Sequence, residues 1–311
     1  MDRGGADAQL ISRARGALLG LVAGNQLGVP TEHLGTPDAI RQAFPNGVTD
    51  LAPPPKNSPY DDDAAMALLL GESLLDSQGF DANNVARRWA KWMKVDGRGI
   101  GMTTRRALTL IDRGKEPFEA GRLANQENPG RSAGNGSVMR CVPDALHYHN
   151  DPDRLIRVST QQAAITHADE RCTWGAAAVN LAARELLHGN IYFVDEVLHR
   201  MGDRAPRVLR DAIHRVPRES EADLPIVRAG EAGYVVHCVE IAFWFVHHDR
   251  SLEESLIYLA QAGGDTDTNA AVAGALLGAR HGEVALPPRW MDQITGVEGI
   301  AQLAERLVTA L

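Results

Sequence analysis

The sequence predicts an all-α fold, and three observations lead there. Apolar residues recur at helical spacing along most of the 311 residues. β-Branched residues almost nowhere alternate with polar ones over the length of a strand. Glycines recur inside an apolar helical run, as helices that approach one another closely require.

The first element is residues 10–28, LISRARGALLGLVAGNQLG. Gly16, Gly20, Gly24 and Gly28 fall four apart, so they line one face of that helix. A glycine inside a helix costs about 0.5–1 kcal/mol relative to alanine. A stripe of them therefore predicts a buried helix whose backbone touches another element. Helices are expected next at 64–77, 83–94, 102–113, 139–147 and 172–188. Further helices are expected at 192–201, 206–215, 233–248, 252–262, 268–281 and 298–310. Loops are expected at 35–59 and 114–137, which are rich in Pro and Gly, and at the polar stretch 216–229. No repeat, low-complexity tract or linker divides the chain, so residues 1–311 are expected to form one all-α domain.

Composition narrows the function classes. At 44% hydrophobic and 23% charged, the chain has an ordinary globular balance and enough length for a large core. A net charge of −8 argues against nucleic-acid binding, which needs clustered Lys and Arg. Cys141, Cys172 and Cys238 are far apart and lack CxxC or zinc-site spacing, which fits a reducing, cytoplasmic compartment. The first residues, MDRGGADAQL, lack a signal-peptide layout, and no targeting segment is expected. The longest apolar stretches, 16–29 and 270–279, are too short and too glycine-rich for a membrane span.

The chemistry concentrates in two similar segments about 200 residues apart. Asp61-Asp62-Asp63 precedes AAMALLLG, and Gly263-Gly264-Asp265-Thr266-Asp267-Thr268-Asn269 precedes AAVAGALLGA. Each is an oxygen-rich cluster at the start of a tight apolar helix. Helix capping accounts for one Asp at such a place. Three in succession, matched by Asp-Thr-Asp-Thr, exceed a cap and suit hard divalent cations, which take several oxygen ligands. The spacing does not fit an EF-hand. Two clusters facing each other would supply two adjacent metal ions.

Three lesser features accompany this pair. In Ser132-Ala133-Gly134-Asn135-Gly136-Ser137-Val138-Met139-Arg140, glycines permit close backbone approach, and N–H groups at a following helix start bind anions. A plain turn before a helix reads the same way. His167, in Ile165-Thr166-His167-Ala168, is either structural or functional. Glu32 follows the end of the first helix and is either an acid–base group or a solvated side chain.

Taken together and in order, RARGALLGLVAGNQLG, DDDAAMALLLG, SAGNGSVMR, ITHADE, GYVVHCVEIAFWF and QAGGDTDTNAAVAGALLGARHG resemble the ADP-ribosylglycohydrolase family. That family includes the dinitrogenase-reductase-activating glycohydrolase and the ARH-type ADP-ribosyl-acceptor hydrolases. The resemblance spans nearly the whole chain, and its last segment is highly specific. It implies a compact orthogonal helical bundle and a binuclear Mg²⁺ or Mn²⁺ centre. Asp62 and Asp63 match ligands of the family's Thr-Asp-Asp-Thr motif, with Asp61 and Ala64 in the places of the two threonines. Asp265, Asp267 and Thr268 match the second ligand set, and Glu32 matches a Glu beside the metals. The loop with Gly134, Asn135, Gly136, Ser137 and Met139, together with His167, matches elements bordering the ADP-ribose pocket. Tyr234 falls where related enzymes carry a Tyr near the nucleotide.

The implied reaction is hydrolysis at the anomeric carbon of an ADP-ribosyl group on a small molecule or modified macromolecule. Positive charge would develop on the ribose, as in glycoside hydrolysis generally. The metals would orient the ribose hydroxyls and a water, and Glu32 or Asp62 would take the water's proton. Besides Asp61 and Ala64, two further letters depart from the family pattern. Asn25 stands where many members have Asp, and Gly99 where arginine-directed members have Asp. These departures leave the leaving group open. They also motivate one alternative, an inactive protein that binds ADP-ribose or a nucleotide; a metal-dependent nucleotide phosphohydrolase stands beside it as a second alternative. The choice between Mg²⁺ and Mn²⁺ and the oligomeric state stay open.

Overall fold

A computed structural model describes residues 3–127, 132–227 and 232–310. Among these residues the regular structure is helical, and the only β feature is an isolated antiparallel bridge between Gly134 and Tyr234. The expected all-α class is the observed one. In chain order the helices are α1 (Arg3–Gly28), α2 (Pro37–Ala43), α3 (Asp62–Asp76), α4 (Ala82–Val95), α5 (Met102–Asp112) and α6 (Pro117–Gln126). Next come α7 (Val142–His147), α8 (Pro152–Ala164), α9 (Glu170–Leu187), α10 (Phe193–Met201) and α11 (Arg207–Arg215). The last are α12 (Val235–His247), α13 (Leu252–Gln261), α14 (Thr266–His281), α15 (Pro288–Met291) and α16 (Val297–Thr309).

The glycine stripe finds its partner in α14, which runs antiparallel to α1. A Cβ built on Gly16 would lie 2.5 Å from the Gly278 carbonyl oxygen, and one on Gly20 would overlap the Gly274 carbonyl. One on Gly24 would overlap the Ala270 carbonyl, and one on Gly28 would overlap the Asp267 backbone. The two backbones touch at these four points along α1. The entropic cost of the glycines is offset by that contact, and the last step of the stripe sets the start of α14.

Two elements correct the expected loops. The stretch 35–59 contains α2, begun by Thr36, whose hydroxyl accepts from the Ala39 N–H. The stretch 114–137 contains α6, where Glu116 accepts from the Glu119 N–H at 3.0 Å and Pro117 takes the first helical position. Residues 128–131 of that stretch, and 228–229 of the polar stretch 216–229, lie outside the described residues. Helix α8 was not anticipated, although Asp151 caps it by accepting from the Arg154 N–H at 2.9 Å and Pro152 opens it. All three cysteines are buried free thiols. Among the described residues no helix is long and apolar enough to cross a membrane.

Candidate metal centre and substrate pocket

The two acidic segments start α3 and α14, and the fold brings these starts together. Asp61 and Asp265 occupy the N-cap positions, yet neither side chain caps its helix. The capping reading therefore fails at both, in contrast to Asp81, whose carboxylate accepts from the Asn83 and Asn84 N–H groups at 2.9 and 3.1 Å. Asp62 and Asp63 lie in the first turn of α3, and Asp267 and Thr268 in that of α14. Both N-termini aim their positive dipole ends at the carboxylates.

Asp61, Asp62, Asp63, Asp267 and Thr268 are buried, and Asp265 is half-buried. Glu32 opens a 3-10 turn (Glu32–Leu34) just past α1 and is exposed at the edge of the group. Carboxylate oxygens of Glu32, Asp61 and Asp267 lie within 4.8 Å of one another. Asp61 Oδ1, Asp63 Oδ1 and Asp267 Oδ1 are buried without a hydrogen-bond partner among the described residues. Unpaired buried carboxylates are costly unless they coordinate a cation or take up protons. The nearest guanidinium is that of Arg98, with Nε 3.9 Å from Asp61 Oδ1.

The protonation states report the same crowding. Although Glu32 is exposed at the edge, desolvation of its carboxyl against the cluster, then the charges of Asp265 and Asp61, raise it to about 7. Burial, then the charges of Asp61, Glu32 and Asp265, raise Asp62 to about 8. Asp63 and Asp267 are pushed well above the usual carboxylate range, by burial first and by neighbouring carboxylates next. Asp61 is also raised by burial, partly opposed by Arg98. A bound divalent ion would reverse these directions by favouring the ionised forms.

The loop of residues 132–140 reaches the cluster directly. Asn135 Nδ2 donates to Asp265 Oδ2 at 2.8 Å, and the Asn135 N–H donates to the Gly233 carbonyl at 2.8 Å. The bridge between Gly134 and Tyr234 sets that Tyr beside the loop. The Arg171 guanidinium lies 5.7 Å over the Tyr234 ring and is paired with Asp169. His167 packs against Gly134 and Gly136. Ser137 and Met139 are buried instead: the Ser137 hydroxyl donates to the Cys172 carbonyl at 3.1 Å, and Met139 belongs to the hydrophobic core.

A second loop covers the other side. Gly99 has φ +75°, and a Cβ there would lie 2.5 Å from Asp62 Oδ1 and overlap Asp61 Oδ1. No side chain fits at 99 while the carboxylates keep their places. Asn25, Asp61 and Ala64, three of the letters that depart from the expected pattern, line one cavity of about 80 Å³ with Arg98. Asn25 Nδ2 and Arg98 Nε are buried without hydrogen-bond partners among the described residues. Neither Arg98 nor this cavity was anticipated, because its walls come from three distant segments.

A model of the ADP-ribosylglycohydrolase family matches residues 6–311. The chain belongs to the ADP-ribosylglycohydrolase family. Relatives with which it is similar over nearly its full length include the ADP-ribosylhydrolase ARH3 of Bos taurus, 31% identical over 98% of this chain and 94% of that protein. The ADP-ribosylarginine hydrolase Tri1 of Pseudomonas putida is 29% identical over 96% of this chain and 78% of that protein. A solved structure described as an ADP-ribosylglycohydrolase-related protein complex superposes with a TM-score of 0.78 at 29% identity, covering 97% of this chain and 98% of that one. The family assignment drawn from the sequence motifs and the all-α ADP-ribosylglycohydrolase fold agree with these matches.

Proposed function

We propose that residues 1–311 form one ADP-ribosylglycohydrolase domain that hydrolyses the glycosidic bond of an ADP-ribosyl group with the aid of two divalent cations, Mg²⁺ or Mn²⁺. The observation that carries the metal part is the set of three buried, unpartnered oxygens on Asp61, Asp63 and Asp267. The donor set is all oxygen, which suits a hard cation and not a thiophilic one. Asp61, Asp62, Asp63, Asp265, Asp267 and Thr268 would hold the ions, with Glu32 at the exposed edge. When bound, such ions polarise a water and orient sugar hydroxyls.

The chain's own residues account for the rest. Glu32 is the accessible carboxylate of the cluster, so it is the group best placed to exchange a proton with a water that enters from solvent. Asn135 spends one amide hydrogen on Asp265, which couples the loop to the cluster. The Gly134–Ser137 segment offers backbone at close range to phosphate oxygens. Tyr234, with Arg171 above its ring, offers a flat face to a base or sugar. Positioning of the ribose over the acidic cluster then follows from binding at two ends.

The relatives named above include one whose name specifies ADP-ribosylarginine and one whose name specifies no acceptor, so the leaving group is the part to be measured. The test incubates the purified chain with Mg²⁺ or Mn²⁺ and conjugates of ADP-ribose to arginine, serine, acetate and a nucleobase. Products are identified by mass. Metal-dependent release of free ADP-ribose supports the reading. Release of AMP or phosphate would point to the phosphohydrolase, and tight ADP-ribose binding without turnover to the inactive binder.

A further inference from the structure

Arg140 is a fully buried cation that the proposed reaction does not use. Its guanidinium carbon lies 4.1 Å over the Trp89 ring. Nε donates to Gln162 Oε1 at 3.1 Å, and one Nη donates to Thr166 Oγ1 at 2.6 Å. Gln162 Nε2 in turn donates to the Ser137 carbonyl at 3.1 Å, and Thr166 Oγ1 lies 2.8 Å from His167 Nδ1. The His167 ring lies against the glycines of the same loop: a Cβ on Gly136 would sit 2.7 Å from Cε1 and 3.2 Å from Nε2. The connections form a closed circuit that leaves the loop at Ser137 and returns to it at Gly136.

We infer that Arg140, acting through Thr166, is a positioning residue that fixes His167 as a neutral imidazole protonated on Nε2, so that the ring presents one N–H donor toward the loop and a ligand bound there.

The direction of each hydrogen bond decides this. An arginine only donates, so Thr166 Oγ1 must accept from it. The Thr hydroxyl carries one hydrogen, and its two bonds are to Arg140 and His167. If that hydrogen points at Nδ1, the hydroxyl is satisfied and Nδ1 is an acceptor. If instead Nδ1 carried the proton, the buried hydroxyl hydrogen would have no acceptor, which is unfavourable. With Nδ1 accepting, a neutral ring must hold its proton on Nε2. A doubly protonated ring is opposed by burial and by the nearby Arg140 charge. Asp169 acts the other way and is outweighed, so the ring titrates only near about 3. Arg140 itself, lowered to about 9 by burial, keeps its charge at neutral pH.

The tautomer stands on these bonds alone, whereas its use by a ligand rests on the pocket proposed above. The test is nitrogen-15 NMR of histidine-labelled protein, with His167→Gln to assign the ring. The expected result is an unprotonated Nδ1, a protonated Nε2 and no titration between pH 5 and 8. A proton on Nδ1, or titration in that range, overturns the inference. Thr166→Ser keeps the hydroxyl and the tautomer, whereas Thr166→Val gives mixed tautomers. Calorimetry with ADP-ribose separates the two claims: the Val variant binds about tenfold more weakly and the Ser variant like the parent, about 1.4 kcal/mol for the difference. Equal binding by both variants, with the tautomer as assigned, would overturn the ligand's use of this donor and leave the circuit standing.

Discussion

Asn135 Nδ2 donates to Asp265 Oδ2 at 2.8 Å, and this one bond joins the glycine loop to the acidic cluster across 130 positions of sequence. A hydrogen bond to a charged group is worth about 1.5–3 kcal/mol. Asn135→Leu should therefore weaken both Mn²⁺ and ADP-ribose binding by about tenfold or more, as read by calorimetry. Loss of ADP-ribose affinity alone would show that the loop and cluster act separately.

The contact between Gly24 and Ala270 leaves no room for a methyl group. Gly24→Val should destabilise the chain by about 1–3 kcal/mol or more through overpacking. Urea unfolding measures this. Because the stripe ends at Asp267, the surviving folded protein should also bind Mn²⁺ more weakly. A valine tolerated within about 0.5 kcal/mol would mean the helices do not approach so closely in solution.

Gly99→Ala meets both a left-handed backbone and the Asp61 and Asp62 carboxylates. The loop lies at the surface side of the cluster, so the fold should survive. Metal affinity should fall at least about tenfold, since either the loop or the ligands must move. Unchanged affinity would show that the loop backs away freely.

Chelator-treated protein should lose stability as pH rises from 5 to 8.5. Glu32 and Asp62 titrate in the folded state at about 7 and 8, above their ordinary values. The folded chain therefore binds more protons than the unfolded one in that window, and stability falls with rising pH. The carboxyls are most costly when fully ionised and crowded. With Mn²⁺ present the slope should flatten or reverse, because protons then compete with the metal. Thermal melts across pH, with and without metal, measure both slopes.

Much of this was legible in the sequence because the signals are local. The α1 stripe announces a backbone contact, although the letters do not say that α14 is the partner. The acidic segments stand out because charged residues open otherwise apolar helices. Their failure to act as caps is visible only once the Asp61 and Asp265 side chains are seen to make no cap hydrogen bond. Helix α6 was hidden in a stretch whose Pro and Gly read as loop punctuation, when Pro117 in fact begins a helix after an acidic cap, as Pro152 does for α8. Arg140 joins Thr166 and His167 across two segments, and no spacing rule exposes the circuit. The same holds for the cavity that unites Asn25, Asp61 and Arg98.

The central claim is that the starts of α3 and α14 together make a divalent metal centre. Calorimetric titration of chelator-treated protein with Mn²⁺ tests it most directly, with Asp63→Asn and Asp267→Asn alongside. The account predicts saturable binding of two ions by the parent chain and loss of at least one in each variant, with the fold retained by circular dichroism. No saturable binding by the parent, or binding unchanged in both variants, would contradict it.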